Sequence, residues 1–162
     1  MYLWLVYVHA ISVILFVLMH GASHSVLLRI RHERTPDRLR ALLDLSSSTY
    51  NLMFLGLALV VVFGVAAGVA GSWWGTGWIW AALVLGVVVS ATMFFLAQRS
   101  FGPLRRALGM PLFSGDKAQP PAPAASDDEI AALAAAVQPL PMTIAGIGGL
   151  AIFMWLMLFK PF

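Results

Sequence analysis

The sequence predicts an all-α polytopic membrane protein: a bundle of four transmembrane helices with short interfacial helices on the cytoplasmic side. Three observations carry this. Of 162 residues, 60% are hydrophobic and 10% charged, with a mean hydropathy of +0.88. A soluble domain carries about 25% charged residues, and this chain has too few to keep a globular surface in solution. Four runs free of Asp, Glu, Lys and Arg each reach the roughly 20 helical residues that cross a bilayer. The charges lie almost entirely in two connections. A β-barrel is excluded because the runs are continuous rather than alternating, and a barrel needs about eight strands or more. With no Cys in the chain, a disulfide scaffold is excluded too.

The first span is expected over 2–28. It has no basic segment ahead of its apolar run, and its basic cluster follows instead, so it reads as an uncleaved span and not as a secretory leader. The connection 29–49 carries Arg29, Arg31, Arg34, Arg38 and Arg40. Within it, Thr35-Pro36-Asp37 has the pattern of a helix start, with a capping Thr, Pro in the first turn and an acid near the positive end of the dipole. Leu39, Leu42 and Leu43 follow at helical spacing. The expectation is a short amphipathic helix over 36–45, lying on the inner membrane surface. Ser46, Ser47, Ser48 and Thr49 would then cap the second span.

The second span is expected over 50–70 and the third over 78–97, joined by the outer loop 71–77, which has no charge. Gly102-Pro103 reads as the stop after span three. The connection 98–141 holds Arg99, Arg105, Arg106 and Lys117, a mobile Pro- and Ala-rich linker over 115–125, and a capping box, Ser126 with Glu129. A helix over 127–137 follows, closed by Pro139 and Pro141; its Ala-rich face would rest on the membrane or a partner. The fourth span is expected over 142–159. All seven acids and nine of the ten Lys and Arg residues fall in the two long connections. The positive-inside rule puts both in the cytoplasm and both termini outside, in a plasma (inner) membrane. The same arginines at 29–40 could hold anionic lipid headgroups. The basic balance needs no nucleic acid. Trp73, Trp74, Trp78 and Trp80, with Tyr2, Trp4, Tyr7 and Trp155, read as an aromatic belt at the outer face. Tyr50, Phe94, Phe95 and Phe101 mark the inner edge.

The spans offer no carboxylate for paired acid–base work, no Cys nucleophile, and no acid to complete a triad with Ser and His, so no enzymatic activity is expected. Histidine is the exception. Three of the four His residues, His9, His20 and His24, lie in span one. They differ by about 20° and 40° around a helix, so they share a face, and His9 and His20 are about 16 Å apart along it. Ser12 and Ser23 fall near the same stripe. His20 and His24, one turn apart, could touch one ion. Met19, Met53, Met93 and Met142 fall near the same depth, and imidazole with thioether suits Cu(I) or haem iron. Haem b or copper is therefore the cofactor this constellation could take. A haem with two ligands would need Met as the second, or a symmetric dimer, because no other span supplies a His. The same residues also read as structural polar groups bonded to carbonyls or Ser, or as a proton or quinone site.

Gly64-Val65-Ala66-Ala67-Gly68, with Gly56 two turns earlier, and Ala145 with Gly149 are small-xxx-small patterns that let helix backbones approach closely. They predict intimate packing of spans two and four and are compatible with a homodimer or a membrane-complex partner.

The segments Trp4-Leu5-Val6-Tyr7-Val8-His9, Met19-His20-Gly21-Ala22-Ser23, Arg38-Leu39-Arg40-Ala41-Leu42-Leu43-Asp44-Leu45-Ser46 and Gly71-Ser72-Trp73-Trp74-Gly75-Thr76-Gly77-Trp78-Ile79-Trp80 resemble a family of small bacterial integral membrane proteins without an assigned activity. That family is distantly similar to the membrane domain of copper-resistance D proteins. The resemblance spans roughly the first three helices. It implies a membrane domain of that kind, with His9 matching a His often placed in its first span. The functional expectation is a small, non-catalytic accessory or structural membrane subunit. The alternatives are a haem- or copper-binding membrane protein using the span-one histidines, and a small-solute or ion transporter built by oligomerisation.

Overall fold

The computed structural model describes residues 1–111 and 124–162. Among them there are helices and no strands. Four helical segments are long and apolar enough to span a membrane: Tyr2–Ile30, Pro36–Ala70, Gly77–Ala107 and Pro139–Phe159. The protein is thus a multi-pass, all-α membrane protein. The chain runs α1 (Tyr2–Ile30), α2 (Pro36–Ala70), a 3₁₀ turn (Trp73–Gly75), α3 (Gly77–Ala107), α4 (Asp127–Ala136), α5 (Pro139–Thr143), a π turn (Ile144–Gly148) and α6 (Gly149–Phe159). The last three together make the fourth span.

The long helices exceed the membrane. The 35 residues of α2 make a rod of about 52 Å, against a hydrocarbon core of about 30 Å. The excess is at the basic end, where the principal core lies. Val26, Leu27 and Ile30 of α1 meet Leu39 and Leu43 of α2, Phe101, Leu104 and Ala107 of α3, Leu108 just beyond it, and Ile130 and Ala134 of α4. The physical reason is the change of solvent. Lipid tails are as apolar as leucine, so nothing drives leucines together in mid-membrane. Where the helices reach the headgroups and water, each fully buried leucine or isoleucine contributes about 1.5–3 kcal/mol.

This core corrects several expectations. The surface helix 36–45 is not separate; it is the first third of α2. Ser46 to Thr49 do not cap span two. Ser47, Ser48 and Thr49 turn their hydroxyls back onto the carbonyls of Leu43, Leu45 and Ser46, at 2.8, 2.8 and 2.7 Å. Self-satisfied in this way, they pass the helix through. Thr35 holds the N-cap position, extended as a residue before Pro must be, but its side chain makes no capping bond. The turn is closed by Glu33, whose Oε1 accepts from the backbone N–H groups of Arg34 and Thr35 at 2.9 Å each. The Thr35 amide first, then that of Arg34, holds this exposed carboxyl below its ordinary pKa.

Gly102-Pro103 does not stop span three, and α3 runs to Ala107. An internal Pro removes one hydrogen bond and costs about 3 kcal/mol. Burial of Phe101, Leu104 and Leu108 offsets it. Phe101 accordingly belongs to the core and not to an aromatic belt. The real stop is Gly109, at φ 68°, a left-handed position that favours glycine. The Ser126 half of the expected capping box forms, its Oγ accepting from Glu129 N–H at 3.3 Å. Helix α4 buries Ile130 and Ala134 in the protein's own core. The helix ends at Ala136, with Val137 and Gln138 extended ahead of Pro139, and Pro139 also opens span four in the first turn of α5. Most of the linker expected over 115–125 lies outside the described residues.

At the opposite end, Trp78, Ile79, Ala82 and Leu156 form a second, smaller cluster. The belt residues are knitted there. Tyr2 meets Trp73 edge-on at 5.6 Å, Trp73 meets Trp78 at 5.4 Å, and Lys160 Nζ lies 4.0 Å over the Trp73 ring. Lys160 leaves α6 in the left-handed region, at φ 45°. Phe162 then brings its carbonyl to Trp78 N–H at 3.0 Å.

Candidate functional site

The helical spacing puts His9, His20 and His24 on the inward side of α1, but they face different neighbours. His9 faces α2. Its Nδ1–H donates to the Val60 carbonyl at 2.9 Å, and a Cβ on Gly64 would lie 3.0 Å from its ring. Ser12 donates to Val8 O at 2.7 Å, and Ser23 and Ser46 share a bond at 2.8 Å. These members of the polar stripe bind α1 to itself and to α2.

His20 and His24 face span four. His24 Nε2 stands 3.5 Å from Thr143 Oγ1. That hydroxyl also donates to the Pro139 carbonyl at 3.0 Å. The His20 ring stacks on Phe16 at 5.7 Å and turns its Nε2 into the π turn. This nitrogen is buried and has no hydrogen-bond partner among the described residues. A Cβ on Gly146 would lie 2.8 Å from it and 3.6 Å from the Met93 methyl. Only a glycine leaves room for the ring here.

The π turn has a local cause. Pro139 and Pro141 remove N–H donors just upstream, and Gly146, Gly148 and Gly149 contribute no side chain to stiffen the ladder. One extra residue is accommodated, and turns of this kind recur at functional sites. Sequence reasoning missed it, although the run Gly146-Ile147-Gly148-Gly149 behind two prolines was the available signal.

The methionines separate. Met93 is the one whose methyl reaches the His20 position. Met142 is buried in the core at the basic end, and Met19 and Met53 are half-buried on α1 and α2. No group of three or more His, Asp or Glu side chains converges on one point among the described residues. His20 Nε2 and the Met93 methyl both border the Gly146 position. His24, engaged with Thr143, stands one turn away.

The packing glycines are used within the chain. Gly56 lies against the backbone of Phe16, Gly64 against His9, Gly68 against Ile79 and Gly149 against Val89. Ala145 is half-buried on the π turn.

Two arginines read as topological signals also have structural partners. Arg105 is buried; its Nη1 donates to Ser47 Oγ at 2.8 Å and its Nε to Pro111 O at 3.1 Å. Arg40 donates to Leu108 O at 3.2 Å and to Asp37 at 2.8 Å. Comparison of the chain with protein-family models, with curated proteins and with solved structures returns no match.

Proposed function

We propose that the protein is a non-catalytic accessory or structural subunit of a bacterial plasma membrane, with both termini outside and both long connections in the cytoplasm. The orientation follows from the positive-inside rule, since the core at the Arg-rich end is the end that stays in the cytoplasm. The observation that carries the structural role is the bond from His9 to the Val60 carbonyl. It spends an ionisable group within the first span on holding two helices together. The packing glycines are likewise spent within the chain, so a homodimer would use other faces.

A second reading is favoured by one observation: the unpartnered His20 Nε2 beside Met93. An imidazole nitrogen and a thioether suit a soft ion or haem iron. Among the described residues these two donors, with His24 a turn away, are the set that would hold it. The resemblance to copper-resistance D domains points to His9, but the geometry leaves the available nitrogen on His20.

One preparation separates the readings. Protein purified in mild detergent is analysed for visible absorption and metal content, beside His9→Ala and His20→Ala variants. The structural role predicts a colourless, metal-free protein that loses stability on replacing His9 and little on replacing His20. A Soret band, or near-stoichiometric copper lost in His20→Ala, establishes the second reading instead.

A further inference from the structure

A broad cleft of about 640 Å³ opens where the end of α1 meets the start of α2. Its two halves differ in chemistry. Arg29, His32 and Arg38 line one half, and Leu28, Leu42 and Leu45 the other. Leu28 is 47% and Leu45 53% exposed, and Leu42 between them is half-buried with one side against the core. Leu28 directly precedes Arg29 on α1, so the apolar half adjoins the charged half along the helix, as acyl chains adjoin headgroups in a lipid.

The one acid in the cleft, Glu33, is largely committed. Its Oε1 takes two backbone amides, and Oε2 stands 3.9 Å from Arg38 Nη1, at the limit of an ion pair. The Arg38 side chain remains 75% exposed. The neighbouring charges are occupied elsewhere, Arg34 on the carbonyls of Arg31 and Glu33 and Arg40 on Asp37 and Leu108. Two arginines of opposite elements are thus left facing one opening above an apolar shelf, an arrangement that matches a phosphate oxygen set joined to hydrocarbon.

We propose that this cleft is a seat for one anionic phospholipid, its phosphate held by Arg29 and Arg38 with His32 beside them, and its first acyl methylenes lying on Leu28, Leu42 and Leu45. The seat needs only that this end of the bundle lies at a membrane surface. It is independent of which side is cytoplasmic and of the accessory role.

The test uses the full chain in nanodiscs of phosphatidylcholine with and without phosphatidylglycerol, and counts retained phosphatidylglycerol by native mass spectrometry. The wild type retains one molecule preferentially. Arg29→Gln/Arg38→Gln lowers that retention about 30-fold, at about fivefold per cation removed near the surface. Arg99→Gln/Arg106→Gln removes the same charge from exposed positions on α3 and lowers retention less than about threefold. Arg29→Lys/Arg38→Lys restores most of it, which separates lost charge from lost fold. Equal loss in both Gln pairs overturns the seat in favour of diffuse attraction. Absence of phosphatidylglycerol preference overturns it outright. Binding of soluble glycerol phosphate with the same arginine dependence, and no lipid preference, overturns the lipid in favour of a soluble phosphate ester.

Discussion

Replacing Gly56 tests how α1 and α2 are held together. A Cβ at this position would lie 3.1 Å from Phe16 N and 3.2 Å from Phe16 Cα. Both are backbone atoms and cannot rotate away, so α1 itself must retreat by a few tenths of an ångström. Overpacking of this kind costs about 1–3 kcal/mol. Alanine recovers up to about 1 kcal/mol of helix propensity, leaving Gly56→Ala destabilised by about 0–2 kcal/mol. Gly56→Val adds two methyl groups with no space to enter and no such recovery, and is expected to cost about 2–4 kcal/mol. Two comparisons fix the interpretation. A Cβ on Gly68 would crowd only the tip of Ile79, at 2.8 Å, a side-chain end that can swing aside, with the Trp74 ring at an ordinary 3.6 Å, and Gly21 has nothing within 4 Å. Gly68→Ala should therefore cost less than Gly56→Val, and Gly21→Ala should be neutral or slightly stabilising. Thermal unfolding of the four variants in one detergent gives the order. If Gly56→Val unfolds like the wild type, or changes only the oligomeric state, the glycine does not serve the α1–α2 contact and the reasoning fails.

Two further outcomes follow from the basic end. Arg105→Met removes the donors to Ser47 Oγ and Pro111 O from a buried position; a loss of about 1.5–3 kcal/mol is expected for hydrogen bonds from a charged group, read as a lowered unfolding midpoint, and a neutral result contradicts the assigned role. Because the amides of Thr35 and Arg34 lower the folded pKa of Glu33, its contribution to the α1–α2 turn is complete above the unfolded chain's value and is lost as pH falls through the lowered folded value. Hydrogen exchange at the Thr35 amide should accelerate across that acidic window relative to its intrinsic rate, and Glu33→Gln should abolish the pH-dependent step.

The spans were legible because their signal is coarse. A run without charge has one stable solution in lipid, a helix with every backbone group satisfied. Their ends were not, because helix length beyond the membrane is decided by tertiary contacts. Ser46 to Thr49 have the composition of a cap, and only the burial of Leu39 and Leu43 against α1 keeps α2 running through them. Pro103 has the composition of a stop, and Leu104 and Leu108 outweigh it. The histidine stripe was readable from a 100° step. Its division between two neighbours was not, since that depends on which helix stands beside α1 at each level. The π turn that receives His20 leaves almost no trace in periodicity, because it displaces the register by a single residue.

The most direct test of the account is the side of the membrane on which each connection lies. The chain has no cysteine, so Gly75→Cys and Asp128→Cys each give one reporter, both at exposed positions. With a membrane-impermeant maleimide on intact cells, Gly75→Cys should label at once and Asp128→Cys only after permeabilisation. Labelling of both positions on intact cells would contradict the arrangement of four spans with its Arg-rich core inside, and the reverse pattern would contradict the proposed orientation.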